Sequence, residues 1–126
     1  MADADQLDVL KKGAGAWNAW RAENRSAPVE LSGGALRGLD LGGADLCGAD
    51  LTGADLRGTI LDGASLARAR LAGANLFKAT FAGANLDGAD LRGAQFLNCA
   101  QLAAALHWRS AYRDADLACG AAIPES

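Results

Sequence analysis

Residues 44–58 read Ala44-Asp45-Leu46-Cys47-Gly48-Ala49-Asp50-Leu51-Thr52-Gly53-Ala54-Asp55-Leu56-Arg57-Gly58, three copies of one five-residue unit. The phase extends far beyond this stretch. Every fifth residue from Leu31 through Leu36, Leu41 and onward to Phe81, Leu86, Leu91 and Phe96 is large and apolar, fourteen sites without a miss. From Ala44 to Ala94 the residue two before each site is Ala, with Thr59 the exception. Two residues after it stands Gly in eleven of the fourteen, with Arg68, Lys78 and Asn98 the departures. Asp or Asn often precedes the large residue, so the unit is A-(D/N)-L-x-G.

A period of five fits neither ordinary element. On an α-helix, steps of about 100° per residue would ring the leucines around the axis. In a flat strand, an odd spacing would throw alternate leucines to opposite faces. A chain that turns a corner every five residues solves both problems. Leu then points to a common axis, Ala fills the narrow space beside it, and Gly sits where the backbone turns. The expected fold is an all-β solenoid whose coils stack through backbone ladders about 4.8 Å apart.

Composition agrees with a small core of Leu and Ala. The chain has 126 residues, 51% of them apolar but only 6% aromatic, with 16 glycines and 2 prolines. Twelve basic and fifteen acidic residues leave a net charge of −3, which excludes a basic nucleic-acid surface and offers nothing to an anionic membrane. No apolar run approaches the ~20 residues of a membrane span. The first residues lack the basic and apolar regions of a signal peptide. The three cysteines, Cys47, Cys99 and Cys119, are odd in number and form no CxxC pair. Free thiols in a reducing compartment are therefore expected, and a cytoplasmic location with them.

Solenoid ends need covering. Residues 4–24 read as one helix with Leu7, Leu10, Ala14, Trp17 and Trp20 on a broad apolar face and Lys11, Lys12 and Arg21 pointing outward. Asp3 or Asp5 can cap its start, while Gly13 and Gly15 weaken it. Three segments follow: residues 1–28 as capping helix and linker, 29–98 as the repeats, and 99–126 as a C-terminal cap and tail. Gln101–Leu106 favours a short helix, after which Trp108 and Tyr112 supply the bulk.

The unit in residues 44–58 resembles the bacterial pentapeptide-repeat family, and the match covers residues 29–98. The resemblance implies a right-handed quadrilateral β-helix with four pentapeptides per coil, hence about three and a half coils and a rod about 17 Å long. Trp17-Asn18-Ala19-Trp20-Arg21 resembles a W-N-x-W-R segment that precedes the repeats in some members. It reads as a lid on the first coil or as a partner-binding Trp pair. A homodimer through the C-terminal end (Leu106, Trp108, Tyr112) is likewise implied by resemblance, against the simpler reading of these residues as a cap.

Chemistry is sparse. His107 is the single histidine and no cysteines cluster, so no metal set and no cofactor is expected. Asp40, Asp45, Asp50 and Asp55 fall on successive sides of a square coil and do not converge as an acid–base pair or a calcium cage. No catalytic residues are assigned, and no enzyme is expected. With twenty residues per coil, surface rows become legible. Glu30, Asp50, Arg70 and Asp90 form one in which Arg70 can pair above and below. Arg37, Arg57, Phe77 and Leu97 form another, two like charges followed by two apolar groups. This second row is the candidate contact surface, unless the C-terminal tail covers Phe77 and Leu97.

The expected function is a non-catalytic module that binds a protein partner. The alternative implied by the family is DNA mimicry against a type II topoisomerase such as gyrase. Duplex DNA carries about one negative charge per 1.7 Å, or about ten over this rod. Residues 29–98 have eight acids against six bases, which favours the first reading.

Overall fold

The computed structural model describes residues 2–117 and 119. From Glu30 the backbone pairs in parallel with the residue twenty positions on: Glu30 with Asp50, Ala35 with Asp55, Asp40 with Ile60, Asp45 with Ser65, and so on to Asn75 with Gln95. A chain that meets itself every twenty residues and turns every five is a four-sided coil. The pairing consists of single bridges between turns, with no longer strand among the described residues. Each side is tied by bonds such as Leu51 N–H to Arg70 C=O (2.7 Å) and Arg70 N–H to Ala49 C=O (2.8 Å).

The corners explain the unit. In each, the N–H three residues after the Leu returns to the Leu carbonyl, as from Ala54 to Leu51 at 3.0 Å. The residue two after the Leu has φ near +70°, as at Gly53 (+67°), which is the type II turn that favours glycine. Arg68 (φ +58°) and Lys78 (φ +60°) adopt the same conformation without being glycine. The Asp or Asn before the Leu has a role that composition does not disclose. Its Oδ1 accepts the N–H two residues on: Asp40 from Gly42, Asp50 from Thr52, Asn75 from Phe77, Asn85 from Asp87. This Asx bond satisfies a corner donor that the ladder leaves open.

Inside, Leu31 through Leu91 at every fifth position are essentially inaccessible, with Phe81 among them. The small row is closed too, from Ala44 to Ala89. Thr59 replaces Ala there by donating its hydroxyl to the Leu36 carbonyl at 2.7 Å, which removes the penalty of a buried polar group.

Four expectations are corrected. The helix expected over residues 4–24 is two helices, α1 (Ala4–Lys11) and α2 (Ala14–Glu23), because Gly13 at φ +110° breaks the chain between them. Asp3 does cap α1, accepting from the Asp5 and Gln6 amides. Arg21 does not point to solvent: its side chain lies against the first coil and donates to the Cys47 carbonyl at 3.2 Å. Phe96 does not join the inward row. It is 63% exposed, because the positive φ that every earlier unit places two residues after the large one falls here on Phe96 itself (+60°), which turns the ring out of the inward column. Asn98 instead opens α3 (Cys99–Ala103) with a capping box to Gln101, and α3 supplies buried Leu102 to the core.

The fourth correction concerns the thiols. Cys99 and Cys119 form a disulfide, with Cα atoms 5.6 Å apart, and only Cys47 is free. The pair is twenty residues apart, one coil length, and the segment after α3 rejoins the ladder through Leu106 on Asn85 and Tyr112 on Asp90. The disulfide closes this returning segment. Its reduction is expected to lower stability by about 3 kcal/mol, the usual effect of removing a cross-link over a loop of this size. Denaturant unfolding with and without dithiothreitol, and of Cys99→Ser with Cys119→Ser, measures it. Superimposable curves would show that the bond does not constrain the fold.

Candidate functional site

Both helices lie on the first edge of the ladder, where carbonyls and amides have no preceding coil. Gln6 serves α1 twice, donating Nε2 to the Pro28 carbonyl (2.9 Å) and accepting from the Glu30 amide (2.8 Å). On α2, the buried Trp17 indole donates to the Asp45 carbonyl at 2.7 Å, and Asn18 brackets the same residue through the Asp45 amide (2.7 Å) and the Gly43 carbonyl (3.0 Å). Trp20 stacks on Trp17 with ring centres 5.0 Å apart and stays half-buried. This placement puts the Trp pair to structural use.

At the other end, Trp108 is fully buried while Leu106 (42% exposed) and Tyr112 (58%) face outward. Arg109 and Arg113 stack on the Trp108 ring at 4.4 and 4.9 Å, and Arg92 on the Tyr112 ring at 5.2 Å. His107 occupies a left-handed corner, and its carbonyl accepts from Ser110. Among the described residues, no three metal-ligating side chains converge.

The row Glu30, Asp50, Arg70, Asp90 stacks as bridged neighbours, but Arg70 reaches only Asp50, at 3.5 Å. Asp90 turns to Arg92 on its own corner, and Arg92 holds its carboxyl below the usual range.

The second row is better organised. Arg37, Arg57, Gly58, Phe77 and Lys78 together line an open notch of about 270 Å³ on one corner of the rod. Arg57 grips Asp55 with two bonds, Nε to Oδ1 at 2.8 Å and the terminal nitrogen to Oδ2 at 2.7 Å. These bonds, with the more distant Arg37 charge, pull the Asp55 carboxyl down to about 2. Arg37 is exposed. Phe77 is 47% exposed, and the Lys78 ammonium lies 5.4 Å from its ring centre. Leu97 does not continue the strip, because it packs partly buried against the core. Phe96 takes that place, meeting Phe77 edge-on with centroids 5.6 Å apart. Sequence reading missed Phe96 by assigning it to the interior, and the unit itself gave no warning, since Ala64-Ser65-Leu66-Ala67-Arg68 departs at the same two positions and keeps Leu66 buried. Phe77 is thus not covered by the described part of the C-terminal tail, whose residues 118 and 120–126 lie outside the described residues.

The five-residue corners coincide with a family model for pentapeptide repeats, eight copies of which match residues 29–63 and 64–99. The chain belongs to the pentapeptide-repeat family. Pentapeptide-repeat proteins fold as right-handed β-helices, in keeping with the twenty-residue coil. Two solved structures are similar. One is alr5209, a pentapeptide-repeat protein from Nostoc PCC 7120, at 27% identity and a TM-score of 0.43, covering 91% of this chain and 88% of that one. The other is HetL, a pentapeptide-repeat protein involved in heterocyst differentiation regulation in the same cyanobacterium, at 24% identity and a TM-score of 0.29 over 68% of this chain and 58% of that one. A comparison with curated proteins gave no match. One corner of the pentapeptide-repeat rod combines Arg37, Arg57 and Lys78 with Phe77 and Phe96, and that corner is the candidate site.

Proposed function

We propose that this pentapeptide-repeat chain is a non-catalytic protein-interaction module. About three and a half coils form its rod, with α1 and α2 as one cap and α3 with the returning segment as the other. The exposed Phe77–Phe96 pair beside Arg37 and Lys78 carries the reading. Two aromatic rings held edge-on in water contribute nothing to the core, whereas aromatic and Arg side chains are what protein interfaces concentrate. The ladder behind them fixes their positions, so binding orders little additional backbone.

Phe77→Asp combined with Phe96→Asp is expected to abolish capture of a partner from the native cell extract and to leave the melting temperature within about 2 °C, since both sites are exposed. Retained capture by the double variant would remove the strip from the reading.

DNA mimicry has less support. Asp50, Asp55 and Asp90 pair with arginines, and each also accepts a corner N–H. Their charge is largely neutralised where they stand. Leu106 and Tyr112 are the exposed residues that a homodimer through the C-terminal end would use, and light scattering of the full chain decides that separately. A cytoplasmic location drew on free thiols, and the Cys99–Cys119 bond takes that support away.

A further inference from the structure

The strip on this corner has an order and a repeat distance, and together they describe what fits it. Going along the rod axis, one residue per coil, the corner presents Arg37, Arg57 and Phe77, and then the Phe96 ring beside Phe77. Neighbouring coils are bridged backbone to backbone, so successive groups are about 4.8 Å apart. Charge is as ordered as spacing. Three cations (Arg37, Arg57, Lys78) line the notch or its rim against the single carboxylate of Asp55, which Arg57 already occupies. Neither the Arg37 guanidinium nor the Lys78 ammonium has a hydrogen-bond or salt-bridge partner among the described residues. Lys78 is held only by the Phe77 ring.

Two extended geometries can lie along such a row. A strand repeats a face every two residues, about 6.7 Å, so over three coil spacings it offers only three side chains to the four groups of the row. An α-helix advances about 5.4 Å per turn, so it departs by only about 2 Å over the same span. Gly58 deepens the fit. It follows Arg57 on the same coil, bonded through its amide to the Phe77 carbonyl of the next (2.8 Å), and its missing side chain opens the notch to one inserted group. The partner's inserted group must be anionic to meet Arg37 and Lys78 without leaving them desolvated and unpaired.

We propose that the strip docks a partner's amphipathic α-helix, laid parallel to the rod axis. The helix presents acidic residues at i and i+4 to Arg37, Arg57 and Lys78, and apolar residues at i+7 and i+11 to Phe77 and Phe96. This proposal rests on the reading of the chain as an interaction module and specifies the form of its partner. Rotamer-rich Arg and Lys give orientation and a salt-dependent on-rate, while the Phe pair supplies the apolar contact.

The test uses the full-length protein and a labelled, stapled alanine-based peptide with Glu at i and i+4, Phe at i+7 and Leu at i+11. Fluorescence anisotropy is expected to give a dissociation constant of about 100 µM or tighter. Arg37→Glu with Lys78→Glu, or Phe77→Ala, should each weaken it by about tenfold or more, with unchanged circular dichroism. Equal binding of a peptide of the same composition with the apolar pair placed before the acidic pair would overturn the proposal, as would no binding up to about 1 mM. So would a concentration-dependent doubling of mass that Phe77→Ala abolishes, which assigns the strip to a second copy. Partner capture that depends on Phe77 and Phe96 while the peptide fails would keep the module and reject the helix. Capture indifferent to both residues would reject the module reading as well.

Discussion

Leu61→Ala is expected to lower the free energy of unfolding by about 3–5 kcal/mol, the upper part of the range for buried leucines. Leu61 is fully buried, with Leu41 before it and Phe81 after it in the same inward column. The cost depends on how far the site can collapse, and here collapse is obstructed. Leu41 N–H holds the Ile60 carbonyl at 2.8 Å and Leu61 N–H holds the Thr80 carbonyl at 2.9 Å, so the coil spacing is set by backbone bonds on both sides of the void. A domain of ordinary stability has about 5–15 kcal/mol in total, so one methyl-rich side chain carries a large share. Urea unfolding followed by circular dichroism measures the loss. A change below about 1 kcal/mol would mean that the coils close over the gap and that the ladder is softer than its bonds imply.

Trp17→Ala should have an effect of similar size, about 3–5 kcal/mol, for a different reason. The indole is a large buried group of α2 and also donates to the Asp45 carbonyl, which faces the open edge of the first coil. Removing the ring therefore leaves a cavity and an unsatisfied carbonyl together. Trp17→Phe separates the two, because it keeps most of the volume and loses only the bond, for which about 1–2 kcal/mol is expected. Hydrogen exchange of the Asp45 amide, bonded to Asn18 on the same helix, should quicken in Trp17→Ala. Unchanged exchange there, with Trp17→Phe as damaging as Trp17→Ala, would contradict this division.

The rod was legible because its signal is geometric. Fourteen apolar residues in phase exclude helix and flat strand on angles alone, and the same phase places Arg37, Arg57 and Phe77 on one corner. What escaped was set by contacts that no period expresses. The Asp and Asn side chains bond amides only two residues away, a local interaction hidden by their alternative reading as surface charge. Arg21 was read by helical angle as outward, but α2 lies along the ladder edge, and the Cys47 carbonyl there draws the guanidinium inward. Cys99 and Cys119 carried a usable signal in their separation of one coil length. Odd cysteine number masked it, since Cys47 is the unpaired one. Phe96 shows the complementary error: the apolar phase ran on for one unit after the backbone had left it, with the positive φ on Phe96 itself and Asn98 capping α3 instead of turning a corner.

The twenty-residue coil has one more consequence, for how such a surface can change. One pentapeptide is a quarter turn. Inserting or deleting a single unit between Gly58 and Phe77 would leave every inward leucine inward and every corner intact. It would nonetheless swing all later side chains through about 90°, separating the arginines from the phenylalanines. Inserting four units would only slide them apart along the same edge. Repeat number in this architecture therefore acts as a rotary dial, which re-addresses the surface while the interior is indifferent to the setting.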